Sequence, residues 1–354
     1  MHRIFLGKDE QHMVTNVLNF HLPDELNAIA PPERRGVRRD HVKMMVLNKK
    51  NGKIDHSLFF RLDQYLNKDD LIILNSSRTV PADLQGICER TQKQVGIRLA
   101  HQKNPSLWEA LIIGDHLKKG EKVKFNSKLE ATVTHSDPNQ PFSILQFNMC
   151  CSDLYNQIYQ IGEPVRYEYT KEAWSLDYYQ TVFATTPGSV EMPSAGRAFS
   201  WELLFRLQKK GVKIAYLQLH TGLSYLLDDR WHLGPLDNFE KYVINEATVE
   251  AIKKTKKNNG RVIAVGTTVV RALESAVDKY GEITEKDGWT NLYIAADTKL
   301  QVADGLITGF HEPEASHLDL LTAFVNPKHL YHAYQEALSH KYLWHEFGDM
   351  NLII

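Results

Sequence analysis

The chain has 354 residues, of which 43% are hydrophobic and 24% charged, enough to build two domains with cores of their own. Its formal net charge of −1 excludes a protein that coats nucleic acid by bulk electrostatics, while leaving room for a local basic patch. The longest apolar runs, "LIIL" at 71–74 and "VIAV" at 262–265, are strand-sized, and the first residues "MHRIFLGKDEQHMV" lack the apolar centre of a signal peptide, so a cytoplasmic protein with no membrane span is expected.

In chain order, the first feature is "PPERRGVRRDHVK" (31–43), which packs four arginines beside two prolines. It reads either as a solvated loop or as an RNA-contacting segment with Arg34 and Arg38 on phosphates, and it is the better of two basic candidates. Strands follow near "KMMVLN" (43–48) and "DLIILNSSRTV" (70–80), separated by a short amphipathic helix around Leu58–Leu66. From Leu84 to Asn148 the chain shows six short alternating segments, from "LQGICER" to "FSILQFN", broken by turn clusters such as "HSDPNQP". Six short strands without a helix between them read as a small antiparallel barrel. Cys88, Cys150 and Cys151 form no C-x-x-C, which fits a reducing compartment and no zinc knuckle.

After Cys151 helix and strand alternate: "WELLFRLQKKG" (201–211), "VKIAYLQLH" (212–220), "ATVEAIKKTKK" (247–257), "RVIAVG" (261–266) and "VADGLITGF" (302–310), then two helices. The fold class expected is an α/β main domain, 17–83 with 151–354, into which a β-barrel domain, 84–150, is inserted. The second basic run, "KKTKKNNGR" (253–261), reads first as a lysine-rich helix end stabilised by its dipole.

"RVIAVGTTVVRALES" (261–275) is a strand that stops at Gly266 and turns into a helix carrying Arg271. A helix N-terminus exposes unpaired N–H groups and favours an anionic or electron-rich ligand. In the alternative, Thr267 or Thr268 caps the helix and Arg271 pairs with Glu274 or a neighbouring surface carboxylate. One glycine does not make the three-glycine dinucleotide fingerprint, so nicotinamide chemistry is unsupported. His329 and His332 form an H-x-x-H without a wider ligand set, and no metal is expected.

Polar loops at strand ends remain: "NSSRTVPA" (75–82), "DYYQTVFA" (177–184), "EMPSAGRAF" (191–199), "LQLHTG" (217–222), "VGTTVVRALES" (265–275), "TGFHEPEASHL" (308–318) and "FGDMNLI" (347–353). Taken together around an inserted barrel, they resemble the S-adenosylmethionine:tRNA ribosyltransferase-isomerase family of queuosine biosynthesis. The likeness runs over nearly the whole chain from about Leu18, and "N-x-x-R-x-x-P-A" and "V-G-T-T-x-V-R-x-L-E-S" are its most specific motifs.

The resemblance implies transfer and isomerisation of the ribosyl part of S-adenosylmethionine onto 7-aminomethyl-7-deazaguanine in tRNA, giving epoxyqueuosine with loss of adenine and methionine. The sulfonium acidifies the 5′ hydrogens, so a positioned base could start the rearrangement. S-adenosylmethionine is the co-substrate, tRNA the partner, and a monomer the expected state. By motif match, Asn75, Arg78, Thr267, Thr268, Arg271 and Glu274 look like cofactor-binding residues. Tyr179, Gln180 and His220 look like substrate residues, and His311 is a candidate general base, each against an ordinary structural role.

Three loops depart from the family pattern. Where the family has P-T-A-G-L-H-F, residues 193–199 place Arg197 and Ala198, so a histidine is lost. The second glycine of H-V-G-x-G-T-F becomes Ser224, and a histidine-rich element is reduced to "GPLDNFE" (234–240), keeping Glu240. A divergent paralogue that binds a nucleoside or RNA without this catalysis, or that acts on another acceptor, is therefore the alternative expectation.

Overall fold

The computed structural model describes residues 19–354 apart from 168, 171, 225, 227–233, 235 and 314. Val17 and Leu18, where the expected main domain begins, and Tyr225 and Pro235 of the departing loops lie outside the described residues. The chain divides into two compact units: one runs up to Asn75 and takes in Ser194–Leu217 and Val243–Ile354, the other comprises Ser76–Pro193 and Gln218–Tyr242.

The strands in chain order are β1 (Lys43–Leu47), β2 (Ile54–Leu58), β3 (Leu71–Asn75), β4 (Ser77–Thr79), β5 (Asp83–Cys88), β6 (Gln94–Asn104), β7 (Leu107–Ile113), β8 (Lys122–Lys124), β9 (Glu130–His135), β10 (Phe142–Phe147), β11 (Thr186–Ser189), β12 (Lys213–Leu219), β13 (Glu240–Ile244), β14 (Val262–Val265), β15 (Asp287–Thr290), β16 (Gly305–Gly309) and β17 (Met350–Ile353). The helices are α1 (Cys151–Ile161), α2 (Trp201–Lys210), α3 (Glu246–Lys257), α4 (Thr267–Ser275), α5 (Ser316–Thr322) and α6 (Pro327–Ser339).

The first unit is built on a nine-stranded mixed sheet in the order β15-β13-β12-β3-β14-β16-β17-β1-β2. Its central strands β3 and β14 are buried along their whole length, which their continuous apolar sequences require of parallel strands covered on both faces. Helix boundaries follow local chemistry. The Ser200 hydroxyl accepts from Leu203 N to start α2, and Gly211 at φ 95° ends it. Asn245 caps α3 through Thr248 N. At the lysine-rich end of α3, Lys256 Nζ lies 2.8 Å from Asp304.

In the second unit, β10-β7-β6-β5-β8-β9 close a barrel whose inward residues Leu84, Ile97, Trp108, Val123 and Leu145 are completely buried. All six strands expected from the alternation are present. The fold is thus a large mixed sheet with helices together with a closed six-stranded antiparallel barrel.

Two local expectations change. The segment 70–80 is not one strand: β3 stops at Asn75, and Ser77–Thr79 pairs in parallel with β11 in a separate two-stranded sheet. The segment around 58–66 is a short 3-10 turn, Phe59–Gln64, because β2 runs on to Leu58.

Strands β3, β14 and β16 run parallel, as does β12 beside β3. Asn75, Leu217, Gly266 and Gly309 therefore mark one carboxyl edge of the sheet, where α/β proteins place their ligands. Strand β17 runs antiparallel to β16 with Gly309 opposite Met350, and parallel to β1 with Met44 opposite Met350. That register brings the turn Phe347–Asp349 and the arginine-rich segment before β1 to the same edge.

Candidate functional site

Two polar clusters hold the residues expected from the sequence, one in each unit. In the first unit, Gly266 adopts φ 91° at the start of α4, a backbone state open to glycine at little cost. A Cβ there would lie 3.4 Å from Ala195, so the loop at 193–199 packs against this turn. Neither threonine caps the helix by its side chain. The first N–H groups of α4 are thus left to the Gly266 carbonyl, which accepts from Val269 and Val270, and to whatever occupies the edge.

Arg271 does not pair with Glu274. Its guanidinium Nε donates to Leu292 O at 3.2 Å and its terminal nitrogen to Thr290 O at 3.5 Å. Glu274 instead accepts from three successive backbone N–H groups, those of Gln301, Val302 and Ala303, at 2.8, 3.0 and 2.9 Å. The carboxylate holds the approach to β16 in place.

His311 follows β16, and its Nε2 is 2.8 Å from Thr308 Oγ1. Its carbonyl accepts from Trp344 Nε1 at 3.1 Å, and its ring stacks on that of His317 at 4.7 Å and 7°. Burial draws the His311 pKa well below the usual imidazole value, with His317 and His345 adding to it. Packing around the ring draws His317 down to about 4, helped by the cation of Arg271, although His317 is exposed to solvent by accessible surface. Both rings are neutral at neutral pH, and His317 presents the more accessible one.

The departing loop at 193–199 is tied into the arginine-rich segment. Arg197 is 2% exposed, lies over the Phe347 ring at 5.1 Å and reaches Glu33 at 2.7 Å. Burial raises the Glu33 carboxyl, but Arg197 outweighs it and holds the group below the ordinary value. Arg39 pairs with Glu33 and Arg35 donates to Phe347 O. Arg34 and Arg38 are the exposed arginines of the segment, and Arg38 contacts Asp40 and Glu202 at 3.1 and 2.6 Å. Ala198 is buried. Asn75 lies at the carboxyl end of β3, also buried.

In the second unit, Arg78 is exposed on β4 with its guanidinium 5.3 Å from the centre of the Tyr159 ring. It makes no hydrogen bond or ion pair among the described residues. The strand beneath it is held firmly. The Gln180 amide both accepts from Thr79 N at 3.1 Å and donates to Thr79 O at 2.7 Å, and Tyr159 Oη also donates to Thr79 O. Gln180 is therefore committed to the backbone, and Tyr179 beside it is 4% exposed.

His220 Nδ1 lies 2.7 Å from Ser77 Oγ, which is 2.6 Å from Ser189 Oγ, which accepts from Thr221 N at 3.1 Å. Burial draws His220 down to about 4, with Lys241 adding to it. A Cβ at Gly188 would fall 2.5 Å from the His220 ring, so that glycine permits the ring to seat. The Ser224 that replaces a family glycine gives its N–H and hydroxyl to Glu191 at 2.6 and 2.8 Å, and burial raises the Glu191 carboxyl. Gly222 is kept for packing: a Cβ there would lie 1.8 Å from His101 Nε2 on β6.

Sequence reading did not single out Ser77, Ser189, Glu191 or His317. Ser77 stands inside the N-S-S-R motif and His317 in the first turn of α5, so both carried a local signal. Glu191 and Ser189 become visible only through their partners.

A family model described as "Queuosine biosynthesis protein" matches residues 15–353. The solved structure of an S-adenosylmethionine tRNA ribosyltransferase from Thermotoga maritima is similar at 27% identity and a TM-score of 0.54, covering 96% of this chain and 100% of that one. The chain belongs to the queuosine biosynthesis protein family.

Proposed function

We propose that the chain transfers and isomerises the ribosyl moiety of S-adenosylmethionine onto 7-aminomethyl-7-deazaguanine in tRNA, releasing adenine and methionine and leaving epoxyqueuosine. The observation that carries this reading is the α4 turn. A complete V-G-T-T-x-V-R-x-L-E-S sequence stands at the carboxyl edge of the parallel strands, with an N-terminus that no side chain among the described residues caps and a neutral imidazole pair in the same unit. The likeness to a protein named for the same co-substrate adds to it.

In this reading the N–H groups of Thr267 and Thr268 meet an electron-rich part of the co-substrate. Arg271, already fixed to the 290–292 strap, supplies a positive field that disfavours protonation of His317. The base that takes the 5′ proton is drawn from the stacked pair. His311 Nε2 is engaged by Thr308, which leaves its Nδ1, or the open edge of His317, as the acceptor. A histidine with so low a pKa is a weak base, and the sulfonium compensates by acidifying the carbon. Arg78, with Arg34 and Arg38, supplies positive charge for RNA phosphate.

The test is incubation with S-adenosylmethionine and tRNA carrying 7-aminomethyl-7-deazaguanine. Adenine and methionine should appear in equal amounts, and the base should gain the rearranged ribosyl group. Binding of S-adenosylmethionine without adenine release would overturn the transferase reading. One observation favours the second reading, a paralogue that binds nucleoside or RNA without catalysis. Ala198 replaces a family histidine, and Arg197 beside it is locked to Glu33, so the loop offers no imidazole. Ala198→His alone, with Arg197 kept, separates the two: a rise in adenine release supports the transferase, and none from either protein supports the paralogue.

A further inference from the structure

Also in the first unit, the last strand of the nine-stranded sheet carries a third group of titratable side chains. His56 stands on β2, while Glu336 lies in the last turn of α6 and His340 is its C-cap residue, four positions apart and so on one helical face. His56 Nε2 is 3.8 Å and His340 Nδ1 3.3 Å from the same Glu336 carboxylate oxygen, and the three donor atoms all lie within 4.8 Å of one another.

These separations fit a small coordination sphere. Bonds of about 2.0–2.1 Å in a tetrahedral site place the ligand atoms ~3.3–3.4 Å apart. The His340–Glu336 edge already has that length, and the His56–Glu336 edge is about half an ångström longer. Two imidazoles and a carboxylate form a donor set for divalent transition ions, and the pattern leaves a fourth position for water.

The surroundings orient the donors. Tyr342 Oη lies 2.8 Å from His56 Nδ1, which commits that nitrogen and leaves Nε2 toward Glu336, as a supporting hydrogen bond does for a metal-bound imidazole. Lys43 Nζ donates to the carbonyls of His340 and Lys341 at 2.8 and 2.9 Å, fixing the backbone that carries His340. His340 Nδ1 rests on Ser339 Oγ and the Glu336 carbonyl, and the two rings stack at 4.1 Å and 24°. Coordination requires the rings to fan apart so that both lone pairs meet the ion. His340, 49% exposed at its side chain, is the ring with room to turn.

We propose that His56, Glu336 and His340 bind a divalent transition ion of the zinc class, with water completing the sphere, and that the ion ties the end of α6 to the edge strand. The spacing of residues in sequence hid this group, because His56 comes from a distant segment. The histidine pair that spacing does suggest behaves otherwise: a Cβ on Gly52 would lie 2.3 Å from His329 Nδ1, so His329 is packed against a turn.

The experiment uses the full metal-free chain carrying Cys150→Ser and Cys151→Ser, since those exposed thiols, 3.2 Å apart, would compete for a soft ion. Calorimetric titration with Zn²⁺ should show about one ion per chain, and Co²⁺ should give the intense visible band of a tetrahedral site. Both should be lost in His56→Ala and in His340→Ala, while Tyr342→Phe, which keeps the ring, should weaken binding about 10–100-fold. His56→Gln provides a second variant of similar size should the alanine form misfold. No Zn²⁺ uptake by the parent, or uptake and the Co²⁺ band persisting when both histidines are removed, overturns the proposal.

Discussion

The turn after β14 and the turn after β3 carry the two most specific motifs of the chain, and they use their polar side chains in opposite ways. At 266–275 the fold absorbs them: Glu274 holds three N–H groups and Arg271 holds the carbonyls of a neighbouring strap. At 75–81 the fold fastens the backbone and leaves the arginine out. Gln180, Tyr159 and β11 fasten Thr79 and its neighbours, and Arg78 is left over an aromatic ring with no anionic partner among the described residues. A motif of high specificity therefore marks a demanding backbone as readily as a ligand contact. Only the partner of each side chain tells which.

The comparison breaks first at Glu274. If its carboxylate is a fold device, Glu274→Ala leaves the buried Val302 and Ala303 donors unpaired and should destabilise the chain by about 2–6 kcal/mol, taking ~1–3 for each. Urea unfolding measures this, and Glu274→Gln should lose less because one oxygen still accepts. Full stability in Glu274→Ala would return the residue to the ligand side. Next in size is Arg197. Removing it takes a buried guanidinium from Glu33, so Arg197→Leu should cost about 1.5–3 kcal/mol, the range for a hydrogen bond to a charged group. Arg39 remains on Glu33 and limits the loss. The stability contributed by Glu33, whose carboxyl is held below its ordinary value, is present above the unfolded pKa and disappears as pH falls through the folded one. Parent and variant should converge in acid.

Much of the fold was legible because apolar periodicity is a local property. The six barrel strands and the β14–α4 turn follow from alternation and from one glycine. The segment 70–80 reads as one strand in the sequence although its "NSS" is turn chemistry, because the partner that claims Ser77–Thr79 lies about a hundred residues away at β11. The candidate site was legible as positions more than as roles. Arg34 and Arg38 were chosen from four arginines and are the two that face solvent, whereas Gln180, for which a substrate role and a turn role were both open, bonds to Thr79. The Arg197–Glu33 pair joins segments 164 residues apart, a distance at which sequence gives no sign of partnership.

A smaller effect is expected at His220. Its pKa of about 4, against roughly 6.5 unfolded, means that the stability it contributes is complete above ~6.5 and declines as pH falls toward 4, because the unfolded chain takes up the proton first. His220→Gln should lower the slope of unfolding free energy against pH in that window by up to about 1.4 kcal/mol per pH unit, one proton's worth. The other low-pKa imidazoles, His311, His317 and His345, keep part of the slope in the variant. An unchanged slope would place the His220 ring in contact with water and remove the Ser77–Ser189 network from any electrostatic role.

The smallest effect on folding, and the sharpest test of the comparison, belongs to Arg78. With an exposed guanidinium that bonds to no other side chain among the described residues, Arg78→Ala should change unfolding free energy by no more than about 0.5 kcal/mol. If the open guanidinium meets RNA phosphate, the same substitution should reduce the slope of log affinity for tRNA against log salt by ~0.7, the value for one single-stranded phosphate contact. Arg38→Ala should reduce it less, because Arg38 is already shared between Asp40 and Glu202 and gives up those partners before it can take another. Arg78→Lys tests geometry as well as charge, since a lysine keeps the cation but loses the flat face that lies over Tyr159. Equal slopes for Arg78→Ala and parent would take Arg78 off the RNA surface, and its openness would then mark no ligand contact.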